Sequence, residues 1–229
     1  MTDSLQKYLA ELFGTFTLVF LGSVGILSAR GELGASVVAI AFAFGLALLA
    51  GLYAFGEVSG GHFNPIVSLG MLLDRRLDTK HLVPYWVAQF AGAVLASLCV
   101  LIAFDQDAVT LTATVPGGQG AGTAFFLEIL ASAIFVIVIL RVTESGKFGA
   151  TALVAIPLTL AAAHLALVPW SGSSLNTARS FGPALIGAEW TDFWVYVIGP
   201  PLGAVVGWIV YAVVVKGVGE AKPQPQASS

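Results

Sequence analysis

Six long apolar runs, near residues 8 to 29, 35 to 56, 82 to 104, 123 to 142, 150 to 168 and 192 to 215, dominate this 229-residue chain. Each is long enough to cross roughly 30 Å of hydrocarbon at about 1.5 Å per residue. Lipid satisfies no backbone polar group, so a spanning segment must be a helix or a strand of a closed barrel. Barrel strands alternate apolar and polar residues over about ten positions, whereas a run such as LEILASAIFVIVIL at 127 to 140 is apolar all round. With 57% hydrophobic and only 10% charged residues, the composition lies outside the soluble globular range. The expected fold class is all-α membrane protein with six transmembrane helices, a lipid bilayer as its surroundings and no nucleic acid as a partner. The first run is too long for a signal-peptide core and carries Glu11 inside it, so it is read as a mature helix.

Charge sets the orientation. Of ten Lys and Arg residues, eight (Lys7, Arg75, Arg76, Lys80, Arg141, Lys147, Lys216 and Lys222) fall in the N-terminus, the second and fourth connections and the tail. By the positive-inside rule these segments are cytoplasmic. The 105 to 122 connection holds Asp105 and Asp107 without a basic residue and is expected outside. The expectation is a multi-pass protein of the plasma membrane, a bacterial inner membrane, with both termini cytoplasmic. Arg30 and Arg179 depart from the pattern. The single Cys99 lies mid-span and is read as packing. The tail from Gly217 ends PQPQASS, a disordered composition.

Between the apolar runs one segment occurs twice. SGGHFNPI at 59 to 66 and SGSSLNTA at 171 to 178 lie 112 residues apart, and five of twelve aligned positions from Ser59 and Ser171 onward are identical. The duplication reaches further: Glu11 and Thr15 pair with Glu128 and Ser132, and Tyr85, Gly92, Ala93 and Val94 pair with Tyr196, Gly203, Ala204 and Val205. A single transmembrane domain over 1–216 then comprises two three-helix repeats, about 1–105 and 123–216. With an odd number of spans per repeat, the second copy is inverted. The two short segments dip in from opposite faces, each as a Gly-rich arm followed by a half-helix, 64 to 73 and 176 to 187. Irregular backbone at that depth is tolerated only where it is buried or lines a wet cavity. The carbonyls of Gly60, Gly61 and His62, and of Gly172, Ser173 and Ser174, are thus expected as a row of acceptors along a water-filled path.

Asn64 and Asn176 stand where each half-helix begins. As N-caps their side-chain oxygens accept backbone N–H groups, and the amide NH₂ groups are expected to be free to point into the path. Each half-helix N-terminus brings roughly half a positive charge to the midplane. A cation is repelled by such a centre. A water molecule held there donates outward on both sides, which breaks a proton relay.

These motifs, together with AELFGT at 10 to 15 and AFAFG at 41 to 45, resemble the aquaporins of the major intrinsic protein family over about residues 5 to 215. The resemblance implies a right-handed six-helix bundle with two re-entrant half-helices and a homotetramer. It also implies a narrow filter, which maps onto Phe44, His164, Ser173 and Arg179, a combination like that of the water-selective subgroup. Glycerol facilitators carry a small residue where His164 stands and an Asp where Ser180 stands. Glu11 and Glu128 would support the re-entrant loops. Intramembrane acids alone would equally suggest an ion or proton pathway.

The signature triplets depart from the family's Asn-Pro-Ala. The first reads Asn64, Pro65, Ile66 and the second Asn176, Thr177, Ala178. Ile66 adds bulk and Thr177 gives up the proline ring, so the width of a central constriction at Pro65, Ile66, Thr177 and Ala178 is in question. Glu57 is read as vestibule surface or as a gating element. The function expected is passive, osmotically driven water passage with no catalysis, cofactor or metal. Alternatives are a channel for glycerol, hydrogen peroxide, ammonia or a metalloid, and a coupled secondary transporter. The latter would need carboxylates or an ion site beside the half-helix ends.

Overall fold

The computed structural model describes residues 3–30, 37–144 and 149–216. Lys147, Lys222 and the tail from Gly217 lie outside the described residues. Among those described there are helices and no strands. Six helices are long and apolar enough to span a membrane: α1 (Asp3–Arg30), α2 (Val37–Ser59), α4 (Thr79–Ala103), α6 (Gly120–Val142), α7 (Ala150–Ser171) and α9 (Trp194–Val210), the last prolonged by one π-helical turn, Tyr211–Val215. Between them lie α3 (Pro65–Leu73) and α8 (Thr177–Gly187), the two half-helices. At about 1.5 Å per residue they are roughly 14 and 16 Å long, so that end to end they cover one hydrocarbon thickness. The order of spans and half-helices in the first half recurs in the second, which is the inverted three-helix repeat.

The distribution of polarity is inverted relative to a soluble protein. Leu46, Tyr53, Val87, Ile102, Phe126 and Ile134 are exposed on the outside, while Glu11, Gln89, Glu128, His164 and Arg179 are buried inside. A bilayer accepts the first group at no cost, and the second must be hydrogen-bonded or face water. Helices approach closely where glycine allows. A Cβ on Gly92 of α4 would fall 2.2 Å from the Leu12 carbonyl oxygen of α1, and one on Gly203 of α9 would fall 2.4 Å from that of Ile129 in α6. These are matched positions of the two repeats, so the same close crossing is built twice.

One element departs from the sequence reading. The connection 105 to 122, for which the sequence reading named no element, contains a short helix α5 (Gln106–Thr112) capped by Asp105, whose Oδ1 accepts from Ala108 N at 2.8 Å. The seven residues are too few and too polar to register in a hydropathy reading, although the Asp cap is a start signal. Helix α5 packs on α8. It places a carbonyl at the site.

Candidate functional site

The two arms are built on left-handed backbone. Gly60, Gly61 and Phe63 have φ of 93°, 64° and 48°, and Gly172, Ser173 and Leu175 repeat the turn at 71°, 52° and 50°. At a non-glycine residue such a conformation costs on the order of 1–3 kcal/mol and persists only where the surroundings over-determine it. Two carboxyl groups do so here. Glu11 Oε1 accepts from Ser59 Oγ at 2.6 Å and His62 N at 2.9 Å, and its Oε2 from Phe63 N at 2.6 Å and Gln89 Nε2 at 2.7 Å. Glu128 Oε1 accepts from Ser171 Oγ at 2.7 Å and Ser174 N at 2.8 Å, and its Oε2 from Leu175 N at 2.8 Å. Gly61 N and Ser173 N donate to the Ser59 and Ser171 hydroxyl oxygens at 3.1 and 3.2 Å. The Tyr85 and Tyr196 hydroxyls donate to the carbonyls of Ser59 and Ser171, each at 2.7 Å. Ser59, Ser171, Tyr85 and Tyr196 stood out in the sequence only as matched pairs. That matching was the signal for their use.

At the midplane the caps form as expected. Asn64 Oδ1 accepts from Ile66 N at 3.0 Å, and Asn176 Oδ1 accepts from Ala178 N and Arg179 N at 3.0 and 3.1 Å. The amide nitrogens are not free, however. Asn64 Nδ2 donates to the Leu175 carbonyl at 2.7 Å, and Asn176 Nδ2 donates to the Phe63 carbonyl at 2.9 Å. The left-handed turns at Phe63 and Leu175 bring their carbonyls to the opposite cap, and a buried carbonyl must find a donor. Each NH₂ therefore keeps one of its two hydrogens for the path.

Three cavities lie along these residues, each sharing lining side chains with the next, and together they mark the sections of a path. A vestibule of about 370 Å³ opens on the face that carries Lys7, lined among others by Gly60, His62, Met71, Arg76, His81 and Thr143. It leads to a constricted section of about 10 Å³ lined by Leu48, Gly60, Gly61, His62, Phe135 and Ile156 among others. A second constricted section of about 10 Å³ follows, shared by Leu18, Leu48, Phe135 and Leu160 on an apolar wall and by His62, Asn64, Ser174, Asn176, His164, Phe44 and Arg179. Such a volume is about that of one water-sized probe.

Phe44, His164 and Arg179 come together. The Phe44 and His164 rings stack with centroids 4.4 Å apart, and the Arg179 guanidinium carbon lies 4.6 Å from the Phe44 centroid, within cation–π range. Arg179 Nη1 donates to the Thr112 carbonyl at 3.2 Å, the carbonyl that α5 supplies. His164 Nδ1 lies 3.0 Å from the Leu160 carbonyl, which can only accept, so Nδ1 carries the hydrogen and Nε2 of the neutral ring is an acceptor. His164 Nε2 and Arg179 Nε are buried and have no protein partner. A buried acceptor and donor left open beside a water-sized space are what water satisfies.

Other expected residues lie apart from the path's lining. Ser173 is fully buried with an unpartnered hydroxyl, and neither it nor Gly172 lines the three sections. Pro65, Ile66, Thr177 and Ala178 are also absent from those linings: Ile66 is fully buried in the apolar core, and Thr177 Oγ1 donates to the Tyr196 carbonyl at 3.0 Å. The triplet changes therefore lie outside the linings of these three sections. Glu57 is exposed and does not line the vestibule. Sequence reasoning used His62 for its carbonyl alone, whereas its side chain is buried and held by Ser68 Oγ, 3.0 Å from Nδ1. It also missed Thr114, which donates to Ser180 Oγ at 2.8 Å.

A family model described as major intrinsic protein matches residues 1–211. Among relatives, the chain is 42% identical over 210 residues to a protein named glycerol uptake facilitator protein-like 6 of Lactiplantibacillus plantarum, covering 88% of this chain and 94% of that one. It is 40% identical over 220 residues to an aquaporin Z of Brucella melitensis, covering 90% and 96%. The solved aquaglyceroporin structure from Plasmodium falciparum superposes with a TM-score of 0.84 at 25% identity, covering 93% of this chain and 97% of that one.

Proposed function

This chain belongs to the major intrinsic protein family, and from that premise we propose that it is a passive, osmotically driven water channel that excludes protons and ions. The reading is carried by the Phe44, His164 and Arg179 cluster around a section with room for about one water. A single file follows, in which each molecule exchanges bulk partners for His164 Nε2, Arg179 and the remaining Asn hydrogens. Ser173, although its side chain lines none of the three sections, is assigned to the filter beside these three through its backbone carbonyl alone. At the midplane the Asn64 and Asn176 hydrogens both donate to one water oxygen, so that water turns its own hydrogens outward on either side and no proton relay can pass through it. The N-termini of α3 and α8, with roughly half a positive charge each, add a barrier to cations, and Arg179 adds another. The carbonyl row of the two arms guides the file between these points. Glu11 and Glu128 act as mechanical supports of the arms.

The same reading places four copies side by side in the plasma membrane with both termini cytoplasmic, an orientation that the basic residues around Arg75, Arg76 and Lys80 support.

A second reading keeps the channel and enlarges the cargo to glycerol or another small neutral solute. It is favoured by the name of the Lactiplantibacillus plantarum relative, and opposed by His164 and Arg179 crowding the second constriction. Proteoliposomes separate the two. Under a sucrose gradient, vesicles with the protein are expected to shrink several-fold faster than empty ones, with internal pH unmoved, and to show slow glycerol reswelling. Rapid reswelling of the unmodified protein would select the second reading, and shrinkage no faster than that of empty vesicles would sink both. His164→Gly is expected to admit glycerol.

A further inference from the structure

We propose that Gly22 is the specificity-determining seat of the Phe44 ring: the bare patch it leaves on α1 sets how far that ring reaches into the second constriction. Glycine is a poor residue for a helix interior, so its presence midway along α1 calls for a packing reason. A Cβ on Gly22 would fall 2.3, 2.5 and 2.7 Å from Cε1, Cζ and Cδ1 of Phe44. No side chain accepts such contacts, and the ring would have to move. Two further groups lie against the ring, His164, with centroids 4.4 Å apart, and the Arg179 guanidinium carbon at 4.6 Å. Those two are themselves pinned, His164 by the Leu160 carbonyl at 3.0 Å and Arg179 by the Thr112 carbonyl at 3.2 Å. A methyl group on Gly22 therefore drives the ring into a section of about 10 Å³ that has no width to spare.

Gly22 is not itself part of that section's lining, and the three atoms nearest a Cβ placed on it all belong to Phe44, so it acts on the section through that ring. An ordinary close-packing glycine would behave otherwise. Gly25, one turn on, would bring its Cβ within 2.3 Å of Ala43 Cβ, a contact that spaces α1 and α2 without reaching the path.

The inference rests on the filter reading of Phe44, and a double-mutant cycle tests the two separately. Unmodified protein, Gly22→Ala, Phe44→Leu and the double variant are reconstituted, and water and glycerol permeabilities are normalised to the protein incorporated. Gly22→Ala is expected to lower water permeability about fivefold, close to 1 kcal/mol on the barrier. In the Phe44→Leu background the same change is expected to cost less than about twofold, because the shorter side chain vacates the clash. Unchanged permeability of Gly22→Ala, or a loss that persists undiminished beside Phe44→Leu, overturns the proposal. Should Gly22→Ala alone fail to incorporate, incorporation of the double variant supports the seat, and failure of both overturns it. Phe44→Leu indistinguishable from the unmodified protein for both solutes overturns the filter reading and the seat together.

Discussion

At the scale of single residues, the two altered triplet positions are held by their own surroundings, Thr177 by the hydrogen bond from its Oγ1 to the Tyr196 carbonyl at 3.0 Å and Ile66 by packing. Ile66 is fully buried among the core side chains and lines none of the three sections of the path. Ile66→Ala is therefore expected to destabilise the protein by about 2–5 kcal/mol, the range for truncating a large core side chain, while leaving water permeability per folded channel unchanged. Thermal unfolding in detergent and vesicle shrinkage read the two halves of that statement, and a rise in permeability would return Ile66 to the path. The clustering of Phe44, His164 and Arg179 was legible in the sequence only through family resemblance. An apolar helix such as LTLAAAHLALV does not say where His164 points. Its open Nε2 and the unpartnered Nε of Arg179 are products of the fold, since Leu160 and Thr112 occupy the neighbouring atoms through backbone carbonyls.

At the scale of elements, spans and half-helices were legible because hydropathy and capping are local properties. Asn64 and Asn176 marked the starts of α3 and α8 to within a residue. Helix α5 was not legible, since seven residues carry no membrane-length signal and its role lies in one carbonyl. The arms were legible as irregular from the residues, and as braced by Glu11 and Glu128 only through the family resemblance. Their bracing predicts an asymmetry. Glu11 accepts four hydrogen bonds and Glu128 three. A Gln in either place turns an acceptor into a donor facing N–H groups, and each unsatisfied buried group costs about 1–3 kcal/mol. Both Glu11→Gln and Glu128→Gln are expected to lower the unfolding temperature and the permeability together, with the larger drop for Glu11→Gln. Intact stability with altered proton leak would instead mark these acids as an ion pathway.

At the scale of the whole molecule, distant parts of the chain meet at Asp74, just past α3. Its buried carboxylate receives Arg76 Nε at 2.7 Å and Lys216 Nζ at 2.6 Å, and Arg76 reaches on to Thr143 Oγ1 at 3.0 Å and the Leu140 carbonyl at 2.8 Å. The hub ties the first half-helix to the end of α6 and to the π-helical turn that follows α9. Lys216 is half exposed, so Lys216→Ala is expected to cost no more than about 1 kcal/mol. Asp74→Ala strips both cations of their partner and leaves Arg76 largely buried, with an expected loss of about 3 kcal/mol or more. Equal losses for the two variants in thermal unfolding would show that the hub is surface decoration. The hydrogen bonds from Asn64 to Leu175 and from Asn176 to Phe63 bear on how the protein is made. Neither arm can complete its own backbone bonding, and the partner groups lie 111 and 113 residues apart in the order of synthesis. At about 5–20 residues per second, the first arm waits roughly 6 to 22 seconds for the second. During biosynthesis the N-terminal half is an unfinished mould, and the arrival of the later half is the event that closes it.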